Sequence, residues 1–176
     1  ITGQSFLGRI SGTDFFESIC GLSDRRGFSV FFLGASNTVL KNLLIALRGR
    51  YPAIKIAGSH HGFFADTDSE KISGLIRQSN PDILFLGMGT PKDLLWINRY
   101  IGRINSTVAI PFGNAFRIYS KNQNRAPIFM RNIGLEWLYR LLLEPKRLWK
   151  RYLFGNIFFL FILTKEIALH VAGYRS

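Results

Sequence analysis

Along the first two-thirds of the chain, short continuous apolar runs alternate with stretches whose apolar residues recur every third or fourth position. FSVFFLGAS, from Phe28, is followed by NTVLKNLLIALRGRY, in which Val39, Leu40, Leu43, Leu44 and Leu47 fall at helical spacing, with Asn37 as its expected cap. The alternation returns three times. IKIAG precedes a helix expected over about residues 66–78, DILFLGMG one over about 91–103, and TVAIPFG a shorter helical piece from Asn114. Strands alternating with helices imply parallel pairing through right-handed crossovers. Runs such as VFFL and ILFL do not alternate with polar residues, as expected for strands buried on both faces. The pattern predicts an α/β, Rossmann-like parallel sheet with flanking helices over residues 1–120. A C-terminal helical appendage is expected over residues 121–176. The appendage is expected to hold two or three helices, with a break at Pro145, because proline disfavours helical geometry in the residue before it and suits a first turn.

Composition adds a partner class. The 176 residues are 47% hydrophobic and 19% charged, which is globular, and the formal net charge is +12. The surplus is uneven: 11 of the 23 Lys and Arg, but only three of the 11 acids, lie from Arg117 onward. An anionic partner follows, whether nucleic acid, anionic lipid or a charged substrate. Cys20 is the single cysteine, which excludes an intrachain disulfide. The opening ITGQSFLGRISGTDFF has neither a basic leader nor a continuous apolar core, and reads as a trimmed chain instead of a secretory start. The nearly apolar run Leu153 to Leu163 is shorter than the roughly 20 residues of a spanning helix, and suits lying on a membrane better than crossing one.

Candidate chemistry gathers where strands end. Gly34, the Gly87-Met-Gly89-Thr90-Pro91-Lys92 turn, and Gly113-Asn114 all fall at the C-terminal edge of the predicted sheet, where an open α/β sheet binds its ligand. Glycines allow close backbone approach, following helix starts favour an anion, and Thr90 and Lys92 add a hydroxyl and a positive charge. Any one of these glycines could simply make a tight turn; three on one edge favour a nucleotide-like ligand. Neither a P-loop nor a G-x-G-x-x-G spacing is present. Asp93 reads equally as a ligand-facing carboxylate or as an ordinary first-turn acid. His60 and His61, adjacent on extended chain, are expected to point to opposite faces and to serve hydrogen bonding, not a metal. In the appendage, Arg140, Lys146, Arg147, Lys150 and Arg151 lie among Trp137, Leu148 and Trp149. That is the composition of an interfacial helix, with a docked packing helix as one alternative and nucleic-acid binding as the least favoured.

FFLGASNTVLKNLLIALRGRYPAIKIAGSHHGFF, PDILFLGMGTPKDLLWI and NRAPIFMRNIGLEWLYRLLLEPKRLWKRYL together resemble the TagA/WecG/CpsF glycosyltransferases, over roughly Arg9 to Leu153. The resemblance implies an inverting, metal-independent transfer of an N-acetylmannosamine-type sugar from a UDP-sugar donor. The implied acceptor is a polyprenyl-pyrophosphate-linked sugar at the cytoplasmic face of the plasma membrane, reached by a peripheral protein that can self-associate. It assigns Arg9, Gly34, Gly87, Gly89, Thr90, Pro91, Lys92, Gly113 and Asn114 to the donor site, with Asp93 as a weak catalytic candidate and no metal or cofactor. Arg125, Arg131, Arg140, Arg147, Lys150 and Arg151 would serve the pyrophosphate and the anionic membrane surface, and nucleic acid is not an expected partner. Two departures stand out. The family's aspartate-glycine motif belongs to a region before Arg9, and Asp93, Leu94 and Arg117 replace the family's glutamine, glutamate and aspartate. A catalytically inactive, membrane-associated scaffold is therefore the alternative reading.

Overall fold

Two strands without a polar interruption form the middle of the sheet. The structure, a computed structural model, describes residues 11–113, 115–121 and 126–171, without the side chains of 147, 150–154, 156 and 169–171. Strands β1 (Ser29–Gly34), β2 (Lys55–His60), β3 (Ile83–Gly87) and β4 (Val108–Pro111) lie in the order β2-β1-β3-β4, every neighbouring pair parallel. Successive side chains of β1 point to opposite layers. Val30 and Phe32 join Phe85 beneath α1 (Gly12–Arg26), α2 (Asn37–Arg50) and α5 (Ala115–Tyr119). Phe31 and Leu33 join Leu84 and Leu86 beneath α3 (Ser69–Ser79) and α4 (Lys92–Tyr100). Both layers are apolar, so the central strands tolerate no alternation and the sheet is of the Rossmann-like α/β kind. Phe16, Phe32, Phe85 and Phe116 are fully buried, each burial contributing about 1.5–3 kcal/mol relative to exposure.

Register is fixed at the opposite end from the glycines. The Ser29 backbone N–H and hydroxyl both donate to Asp82 Oδ2, at 2.7 and 2.8 Å, and the Asp82 N–H donates to Ser29 Oγ at 3.0 Å. These donors hold the Asp82 carboxyl below the usual aspartate range. The clamp aligns Val30 with Ile83 and therefore, four residues later, Gly34 with Gly87. On the other side, pairing slips between Val30 and Phe31, so that Phe31 lies opposite Gly58. A β-carbon at Gly58 would come within 2.6 Å of the Phe31 ring, which explains the glycine.

Several elements differ from expectation. Helix α1 was not expected, although Ser11 caps it by accepting from the Asp14 N–H and Gly27 closes it in the left-handed region. Ser36, not Asn37, is the N-cap of α2: it stands outside the first helical residue and accepts from the Val39 N–H. Pro91 likewise precedes α4 and is not part of it.

The chain divides into two compact units, residues 1–124 and 125–176. The second holds α6 (Ile128–Asn132), α7 (Glu136–Leu143) and α8 (Pro145–Val171). Its first expected helix is broken in two, because Gly134 adopts φ 77° and the Leu135 N–H turns back to the Met130 carbonyl. The second starts at Pro145 and runs through Gly155 and Asn156 as expected, and it extends to Val171, 27 residues in all.

Candidate functional site

Strand order places the site. From β1 the chain moves outward to β2, and then returns past β1 to β3 and β4, so the direction of travel reverses between β1 and β3. The helices that follow these two strands, α2 and α4, pack on opposite faces of the sheet, and an open α/β sheet binds its ligand at such a reversal. Gly34 and Gly87 face each other at that point. A β-carbon on Gly34 would fall 2.3 Å from the Gly87 carbonyl carbon, and one on Gly87 would fall 2.5 Å from the Phe116 ring. The Gly87 backbone and the Phe116 ring fill this floor, leaving no room for a side chain at either glycine.

Hydrogen bonds lace the loops above it. The Ala35 N–H donates to the Gly87 carbonyl at 2.9 Å, and the Gly62 N–H to the Ala35 carbonyl at 2.8 Å. The Lys92 ammonium donates to the Gly62 carbonyl at 3.1 Å and lies 4.5 Å from the centroid of the Phe64 ring. Gly62, Ala35 and Phe64 were not among the expected site residues. The glycine in HHGFF was the available signal, since it follows a strand as the other rim glycines do.

Asp93 sits in the first turn of α4 with no exposed surface. Its carboxylate accepts from the Met88 N–H at 2.8 Å and the Gly89 N–H at 3.0 Å, tying the glycine turn to the helix. Burial pushes its carboxyl above the ordinary value, against the pull of those two N–H groups and the nearby Lys92 ammonium. The group thus shapes the turn from inside.

The structure brings Gly34, Gly87, Gly89, Thr90, Pro91 and Lys92 to the β1/β3 reversal, and Gly113 to the end of neighbouring β4. Arg9, Asn114 and Arg125 lie outside the described residues. Arg131 lies in the last turn of α6 and Arg140 in the last turn of α7, while Arg147, Lys150 and Arg151 lie along α8. These latter five belong to the second unit. The expected divergence of His60 and His61 is corrected. Strand β2 ends at His60, and the two rings lie 4.6 Å apart because His60 donates from Nδ1 to the His61 carbonyl and the chain folds over. They border a hollow of about 310 Å³ with Asn37 and Lys41. Cys20 is buried in the core, and burial pushes its thiol up to about 12, far from thiolate chemistry.

On α8, Ile157, Phe158, Phe159, Leu160, Phe161 and Ile162 are 42–66% exposed. At 100° per residue these six consecutive side chains point around the full circumference and form an apolar collar. No helix among the described residues is long and apolar enough to cross a membrane.

A four-stranded parallel α/β sheet whose order reverses between two facing glycines defines a Rossmann-like fold. The particular lineage follows from comparison: residues 1–172 match the glycosyl transferase WecG/TagA/CpsF family, and the chain belongs to it. It is similar to the N-acetylglucosaminyldiphosphoundecaprenol N-acetyl-beta-D-mannosaminyltransferase of Bacillus subtilis (strain 168), 34% identical over 166 residues covering 94% of this chain and 64% of the relative. The protein of the same name in Bacillus spizizenii is 34% identical over 153 residues, covering 87% and 58%. That of Staphylococcus aureus (strain NCTC 8325 / PS 47) is 34% identical over 145 residues, covering 82% and 56%. The chain thus spans 56–64% of the length of these curated relatives.

Proposed function

We propose that this chain supplies the donor-binding part of a glycosyltransferase in cell-surface polysaccharide synthesis. The donor is a UDP-activated N-acetylmannosamine-type sugar, and the acceptor a sugar carried on a polyprenyl diphosphate, the acceptor class contained in the relatives' name. The observation that carries this reading is the convergence of the Gly34 and Gly87–Lys92 loops on one crevice. There the donor diphosphate meets the Lys92 ammonium and the start of the 14-residue helix α2, whose positive dipole end favours an anion. Backbone walls let the diphosphate approach closely, and no metal is assigned to the transfer. The appendage is the peripheral membrane element in this reading: its basic residues meet anionic headgroups and the α8 collar meets the apolar layer beneath.

The test is direct. UDP at millimolar concentration is expected to raise the thermal midpoint, and transfer is to be assayed on a diphosphate-linked N-acetylglucosamine lipid. Absence of any UDP protection would remove the donor assignment.

A second reading, a membrane-associated scaffold that binds without turnover, is favoured by Asp93. Its carboxylate is fully buried and engaged by two backbone N–H groups, not presented to a substrate. Under that reading UDP protects the chain but no sugar is transferred.

A further inference from the structure

The segment 61–64 is held from two sides. On one, the Gly62 N–H binds the Ala35 carbonyl, and there is no space for a side chain: a β-carbon at Gly62 would lie 2.9 Å from Gly34 Cα and from Met88 Cγ. On the other, the tie across from α4 is Lys92, through the Gly62 carbonyl and the Phe64 ring. Between them Phe63 projects outward, 76% exposed.

The partners of Lys92 are unusual for an ammonium. A carbonyl and a ring face accept its hydrogens without cancelling its charge, and among the described residues it makes no ion pair. The adjacent carboxylate, Asp93, is turned inward onto the glycine turn. An ammonium has three donors, so a group already bound to Gly62 can still accept an anion.

We infer that Lys92 is a positioning residue that couples anion binding in the crevice to the order of the 61–64 segment, by holding the Gly62 carbonyl and a ligand phosphate oxygen at the same time. This rests on the donor-site reading above. A diphosphate anchors the ammonium, the anchored ammonium fixes the Gly62 carbonyl, and the segment settles against the crevice. Linkage runs both ways: whatever loosens the segment weakens anion binding by the same factor.

Hydrogen–deuterium exchange on the whole polypeptide tests this, for wild type, Lys92→Met and Lys92→Arg, with and without UDP at a saturating concentration measured separately for each protein. In the wild type, UDP is expected to slow exchange of amides 61–65 by about fivefold or more. In Lys92→Met, UDP still slows amides 35–38 but leaves 61–65 unchanged; Lys92→Arg, which retains the cation, recovers part of the effect. A loss of packing alone would speed exchange in the free protein without abolishing the UDP-dependent slowing. Slowing at 61–65 in Lys92→Met equal to wild type overturns the coupling and leaves donor binding standing. No UDP-dependent slowing anywhere in the wild type overturns both. Should Lys92→Met fail to fold, Lys92→Arg decides: it must slow 61–65 on UDP binding, and failure to do so while 35–38 respond overturns the inference.

Discussion

At Gly34 two constraints coincide. Its φ of 143° is disfavoured for any residue with a side chain, and a β-carbon would strike the Gly87 backbone, which cannot yield as a flexible side chain could. Gly34→Ala is therefore expected to cost about 3 kcal/mol or more, read as a lower urea midpoint, with the crevice lost in whatever molecules still fold. Asp93 offers a test of sign. Burial raises its folded-state value above the ordinary 3.8, so its stabilising contribution is complete below that value and is lost as pH rises through the folded one. The wild type is accordingly expected to gain stability relative to Asp93→Asn as pH is lowered from 7 towards 4, measured by urea midpoints across that range. A constant difference would show that Asp93 does not titrate this way. The rim glycines were legible in the sequence because a glycine directly after an apolar run marks the place where a buried strand gives way to a turn. The direction of the Asp93 carboxylate was not, since a first-turn acid at this position can reach outward to a ligand or backward to the turn. The pairing of the His60 and His61 rings was hidden for a similar reason: it depends on the residue at which β2 stops.

At the scale of elements, the strands were the clearest feature, because burial on both faces leaves uninterrupted apolar runs. Helix α1 was obscured by its polar content, with Asp14, Glu17, Asp24, Arg25 and Arg26 diluting the apolar spacing. Its signature lay at its ends, in the Ser11 cap and Gly27. Gly155 and Asn156 interrupt the apolar run but not the helix: α8 continues through them, as helix propensity alone is a weak prior. A β-carbon at Gly155 meets nothing within 4 Å. Gly155→Ala is thus expected to stabilise α8 by about 0.5–1 kcal/mol, visible as a later loss of helical circular dichroism on heating. A shift in the opposite direction would indicate that close packing at this position matters more than helix propensity.

For the whole molecule, charge and apolar exposure are concentrated in the C-terminal part of the sequence. The formal net charge is +12, and the exposed collar on α8 follows Lys146, Arg147, Lys150 and Arg151 in the sequence. Co-sedimentation with vesicles containing phosphatidylglycerol is expected to be strong at low salt and to weaken as salt rises, because headgroup attraction is screened within about 10 Å at 0.1 M. Phe158→Asp combined with Phe161→Asp is expected to reduce binding at every salt concentration, since it removes the screening-independent part. Binding that ignores both salt and these substitutions would assign the appendage another partner.

The unbroken course of α8 carries one more implication. A one-residue insertion between Arg151 and Ile157 would rotate everything beyond it by 100° and advance it by only about 1.5 Å. An ordinary amphipathic helix would be spoiled by that change of phase. Here the rings surround the axis, so azimuth is immaterial and only length counts: from residue 150 to residue 160 the rod sets a separation of about 15 Å.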